Sequence, residues 1–143
     1  MFKNFFKKKK EKEINNKNTL IIALLVHAAK IDENYTEAEK EIIKKVIVQL
    51  NGVELNESEK LLKIAEKVEE NSNQIVEFTK EIKKYSMEFR LKIIEIIWKI
   101  VYSDGTSDNY ESNLIRRICG LLYVSDKDNG IIKKRIMSLM EQK

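Results

Sequence analysis

The densest grouping of oxygen donors in the chain is "YSDGTSDNYE", Tyr102 to Glu111, where three carboxylates and a glycine fall within ten residues. A second acidic stretch, "KIDENYTEAE", lies 72 residues earlier. Both follow the pattern Asp-x-x-x-(Thr/Asp)-x-x-Glu, with Asp32, Thr36 and Glu39 matching Asp104, Asp108 and Glu111. Carboxylates are hard oxygen ligands and suit Ca²⁺ or Mg²⁺. If the two stretches meet in space, Asp32, Glu39, Asp104 and Glu111 present up to four carboxylates to one ion, and Asp108 adds a further oxygen. Left without a cation, such a group would repel itself and raise its own pKa values. The expected cofactor is therefore a divalent cation, Ca²⁺, Mg²⁺ or Zn²⁺.

The same residues also have a purely structural explanation. Thr36 and Asp108 stand three positions before Glu39 and Glu111, the spacing of a capping box, in which a short side chain accepts an orphan backbone N–H and the acid reaches back. Negative charge there also suits the positive end of a helix dipole. The leading Asp ends the preceding helix, with Gly105 in the left-handed conformation of the turn. An EF-hand is excluded, because its loop spreads ligands over twelve positions with glycine at the sixth, whereas Gly105 immediately follows the first acid here.

Helical periodicity places these corners between helices. It predicts seven segments, near 18–31, 36–50, 57–70, 73–84, 87–103, 108–123 and 126–141. Cap spacings support most starts: Thr36 before Glu39, Asn56 before Glu59, Asp108 before Glu111 and Ser125 before Asp128. Ser72 and Ser86 are expected to start the fourth and fifth helices, and Gly52 to end the second. No stretch alternates with period two. The chain has no proline, 43% hydrophobic and 35% charged residues. An all-α single-domain bundle of about seven helices follows.

The two corners belong to a longer repeat. Shifted by 72 residues, "LLVHAAKIDENYTEAEKEII" falls on "IIWKIVYSDGTSDNYESNLI" without a gap. Leu24 and Leu25 meet Ile96 and Ile97, and Ile42 and Ile43 meet Leu114 and Ile115. Each copy is helix, corner, helix, and the pair is expected to pack about an approximate twofold axis. Two copies do not make a solenoid, which needs at least three.

Residues 1–17 form a basic leader, expected to be disordered, ahead of a helical domain over 18–143. Residues 1–18 carry seven lysines and two glutamates, a net +5 against +4 for the whole chain. The folded body is thus near neutral, which argues against nucleic acid as a partner. Phe2, Phe5 and Phe6 beside Lys7 to Lys10 suit shallow contact of residues 1–14 with an anionic membrane surface; a solvated tail is the plainer alternative. The leader and the apolar run after it have some features of a signal peptide, but Glu11 and Glu13 oppose that, and cleavage would destroy the repeat. The longest uncharged run, Asn18 to Ala29, is too short to span a bilayer.

Other residues point away from catalysis. His27 is the sole histidine and has no nucleophile beside it, so a triad has no support. It is expected on a half-exposed helix face. Trp98 is expected in the core, Cys119 as a buried inert thiol, and Arg116 and Arg117 as a solvated pair. A carboxylate-based enzyme is the remote alternative; neither a nucleophile nor a defined pocket is evident.

The segments "ALLVHAAKIDENYTEAEKEII" and "FRLKIIEIIWKIVYSDGTSDNYESNLIRRICGLLYVSDKD" resemble the TerB family, the tellurite-resistance-associated helical domain, which is itself similar to the N-terminal domain of the membrane co-chaperone DjlA. The resemblance covers about residues 20–128. It implies an all-α bundle with a pseudo-repeat, no attached reaction, a divalent-metal surface at Asp32, Glu39, Asp104, Asp108 and Glu111, and a link to stress or membrane systems. The expected partner is an unidentified protein, and the expected location is cytoplasmic, at times peripheral to the inner membrane surface. The first copy departs from the family pattern, with Glu33 where glycine is common and Thr36 where an acid is common.

Overall fold

The computed structural model describes residues 18–31, 33–72, 74–104 and 109–141, with side chains for all of these except 104, 109–111 and 141. Helices account for most of them: α1 (18–29), α2 (Glu37–Asn51), α3 (Leu55–Asn71), α4 (Val76–Ile82), α5 (Met87–Val101), a 3₁₀ turn (Tyr102–Asp104), α6 (Asn109–Leu121) and α7 (Asp126–Glu141). No strand occurs among the described residues. The all-α expectation holds, and each predicted segment overlaps one helix.

α1 is apolar around nearly its whole circumference, and such a helix must be enclosed. Ile21 to Val26, Ala28 and Ala29 are all at most 2% exposed. The run that has signal-peptide features is thus a helix at the centre of the core. α5 supplies the other large share, with Ile93, Ile94, Ile97, Trp98, Ile100 and Val101 buried. α2 packs against α3 and α5, and α7 packs along α5.

The repeat is visible in the burial pattern. Leu25 and Ile97 are equivalent and both fully buried, as are Ile43 and Ile115, then Ile47 and Cys119. His27 and Lys99 are likewise equivalent, and both are half-buried.

The helix ends correct the sequence expectations in two places. α3 starts at Leu55 from Glu54, which makes no side-chain cap, rather than from Asn56. Gly52, at φ 62°, ends α2 in the left-handed conformation, and Val53 packs onto the core. A three-residue link remains, and Asn56 falls inside the first turn of α3. Ser72 closes α3 instead of opening α4, though its hydroxyl donates to Glu77 Oε2 of α4 at 3.0 Å. Ser86 and Ser125 cap as expected, accepting the N–H of Phe89 at 3.2 Å and of Asp128 at 3.1 Å.

The end of α6 has a different solution. Val124 N–H donates to Cys119 O at 2.8 Å and Tyr123 N–H to Gly120 O at 3.3 Å. This is a Schellman motif, and it forces Tyr123 to φ 57°. Arg90 at the start of α5 donates from Nη1 to Leu122 O at 2.8 Å. One guanidinium thereby satisfies a carbonyl at the end of α6 and ties that end to α5.

Candidate functional site

The first corner is built from the end of α1, a turn and the cap of α2. Lys30 N–H closes the last turn of α1 onto Val26 O, and Glu33 N–H returns to Lys30 O at 3.0 Å. Glu33 sits at φ 64°. Few side chains tolerate that region, and the equivalent position in the second copy is Gly105. Thr36 then caps α2 in the predicted capping box. Its Oγ1 accepts Glu39 N–H at 3.1 Å, and Glu39 Oε1 accepts Thr36 N–H at 2.7 Å. Glu39 is 5% exposed. A cation at this carboxylate would compete with the Thr36 N–H for Oε1.

The residue between the two acids is also enclosed by charge. Lys40 Nζ lies 4.8 Å from the Tyr35 ring centroid and Lys30 Nζ 5.9 Å from it, distances at which a cation is attracted to an aromatic face. Burial first, then Glu66, Glu39, Glu37 and Glu69, push the Tyr35 hydroxyl well above the usual phenol range. Its oxygen is buried and has no hydrogen-bond partner among the described residues.

Glu69 of α3 is the residue that sequence reasoning missed. Its Oε1 lies 3.2 Å from His27 Nδ1 and its Oε2 3.0 Å from Lys30 Nζ. One carboxylate, 12% exposed, thereby anchors both basic residues at the end of α1. No local spacing signals this, because His27 and Glu69 are 42 residues apart. The half-buried His27 matches expectation, with a contact to Glu69 added.

The second corner begins with the 3₁₀ turn Tyr102–Asp104, where Ser103 Oγ donates to Ile100 O at 2.7 Å. This turn packs against α2 as well as α5 and α7. The second corner thus starts beside the helix that the first corner opens. Of the five predicted ligands, Glu39 is the one whose side chain is described. Asp32 and Asp108 lie outside the described residues, as does Gly105, and Asp104 and Glu111 are described in backbone alone. Among the described residues, no three His, Cys, Asp or Glu side chains are arranged to hold a metal ion.

The expectations for Trp98, Cys119, Arg116 and Arg117 are met. Trp98 is 1% exposed. Its indole N–H donates to Asn129 Oδ1 at 2.9 Å, Tyr102 stacks on it at 5.7 Å, and Lys133 Nζ lies 5.3 Å over the ring. Cys119 is fully buried, and burial, followed by the nearby Asp126, pushes its thiol up to about 12. That thiol is inert at neutral pH. Arg116 and Arg117 are exposed. No described helix is long and apolar enough to cross a membrane. The leader, residues 1–17, lies outside the described residues.

The family model described as "Tellurite resistance protein TerB" matches residues 18–134. No curated protein and no solved structure matches the chain.

Proposed function

The chain belongs to the TerB family, and on that premise we propose that it is a non-enzymatic binding module of the tellurite-resistance type, holding a divalent cation or docking a protein partner through its acidic corners. The observation that carries this reading is the packing of the Tyr102–Asp104 turn against α2. It brings Tyr102–Asp104, the start of the second acidic corner, beside the helix opened by the first. Ligands for one ion must all lie near 2.0–2.6 Å from it, so neighbouring corners are the first requirement. The proposed ligands are Asp32, Glu39, Asp104, Asp108 and Glu111. In the same reading, residues 1–14 make peripheral contact with an anionic membrane from the cytoplasmic side.

Titration calorimetry with Ca²⁺, Mg²⁺, Zn²⁺ and Mn²⁺ tests the cation. Saturable heat with one of them is expected, and the double variant Asp104→Asn, Glu111→Gln should abolish it. Equal binding by variant and parent would place the ion elsewhere. If no ion gives heat with the parent, partner docking becomes the corners' role. Co-sedimentation with anionic vesicles, with and without residues 1–14, tests the leader; equal binding by both forms removes it from the proposal.

A further inference from the structure

α2, α5 and α7 leave a depression of about 570 Å³ between them. This is within the range of small-ligand sites, about 300–1,000 Å³. Its floor is apolar: Val46 from α2, Ile96 from α5, and Ile136 and Met140 from α7. Leu139, 51% exposed, stands at its edge. Among the described residues, every charged side chain lining it is a lysine: Lys45 of α2, and Lys92 and Lys99 of α5. Lys99 is partly neutralised by Glu95 at 3.6 Å, a carboxylate also held by Arg135 at 3.2 Å. Lys45 and Lys92 have no ion pair among the described residues. Lys92 and Lys99 are two helical turns apart, so the groove runs on the order of 10 Å along α5.

We propose that this groove binds a free fatty acid, its acyl chain on the Val46–Ile96–Ile136–Met140 floor and its carboxylate among Lys45, Lys92 and Lys99. Two properties select this occupant. A lysine-only rim around an apolar floor complements one anionic head on one hydrocarbon tail. A second copy of this chain would bring its own lysines against these. The floor is also recessed, with Ile136 fully buried and Val46 7% exposed. An intact bilayer surface would meet the lysines without reaching that floor, so a single detached chain fits better than a membrane.

The test uses the full chain with ¹³C-labelled methyl groups and decanoate below its aggregation threshold. Saturable shifts confined to the Val46, Ile96, Ile136, Leu139 and Met140 methyls are expected. Affinity should rise about fourfold per methylene from octanoate to decanoate while the added carbons remain in the groove. The double variant Lys45→Glu, Lys92→Glu should weaken decanoate at least tenfold. Leu139→Asp, at an exposed position that leaves the fold intact, should do so independently. Nonyltrimethylammonium, with the same alkyl tail and the opposite charge, should bind at least tenfold more weakly. Equal binding of the cationic amphiphile, or indifference to charge reversal, would overturn the proposal. So would groove shifts that follow protein concentration and ignore decanoate, the signature of a second copy in the groove. A response to anionic vesicles with none to decanoate would overturn it in favour of a membrane surface.

Discussion

α1 and α5 hold equivalent places in the repeat but face different surroundings. α1 is enclosed on nearly every side, while α5 keeps a polar edge with Lys92 and Lys99 along the groove. One copy's first helix has become the centre of the core; the other's has kept a surface. The two copies therefore share burial where they match and differ on their outer faces. The helix ends show the same divergence. The left-handed residue is glycine after α2 and tyrosine after α6, and in the first corner it is a glutamate.

The largest expected effect sets the two helices against each other in the core. Leu25→Ala and Ile97→Ala remove equivalent, fully buried side chains and should each cost about 2–5 kcal/mol. Urea unfolding should show the Leu25 variant as the less stable, since α1 has less solvent-facing surface than α5 toward which its surroundings can relax. A smaller loss for Leu25→Ala than for Ile97→Ala would mean that α1 is not the more central helix.

Arg90→Met tests how the second copy is closed. It leaves Leu122 O without its donor and should cost about 1–3 kcal/mol. Hydrogen exchange should report the loss first at the Tyr123 and Val124 amides. Protection lost uniformly across the chain would instead mark Arg90 as a general packing residue.

The left-handed positions should respond in the opposite sense. Glu33→Gly and Tyr123→Gly each relieve a positive φ and should raise stability by roughly 0.5–1 kcal/mol after the greater entropy of glycine is subtracted. For Tyr123 the gain is reduced, because its ring lies under Lys83 Nζ at 4.8 Å. Gly52→Ala should lower stability by about 1 kcal/mol. Thermal midpoints of the three variants decide the sign.

A further effect appears at alkaline pH. The Cys119 thiol is raised from 9.0 to about 12 in the folded chain, so it stays protonated where the unfolded thiol ionises. Its contribution is fully present below pH 9 and is lost as pH rises toward 12. Stability measured across that window should fall less steeply in Cys119→Ala.

Much of the fold was legible because it is written in local patterns. The apolar period, the Thr36–Glu39 box, Gly52 and the caps at Ser86 and Ser125 act within a few residues of themselves. Asn56 and Ser72 misled because cap-forming residues also occur just inside or just after a helix. Arg90 with Leu122 and Glu69 with His27 were not legible at all. Each joins residues more than thirty positions apart, and only the packing of whole helices makes them neighbours. The candidate site divides in the same way: its residue types and the role of Glu39 in the cap could be read, whereas the approach of the second corner to α2 is a tertiary fact.

Trp98 is the sole tryptophan of the chain, and it is shut inside the α5–α7 seam with its N–H on Asn129. The protein therefore carries its own optical gauge of whether that seam is closed. A shift of its emitted light to longer wavelength would signal that α7 had swung away, with no attached dye.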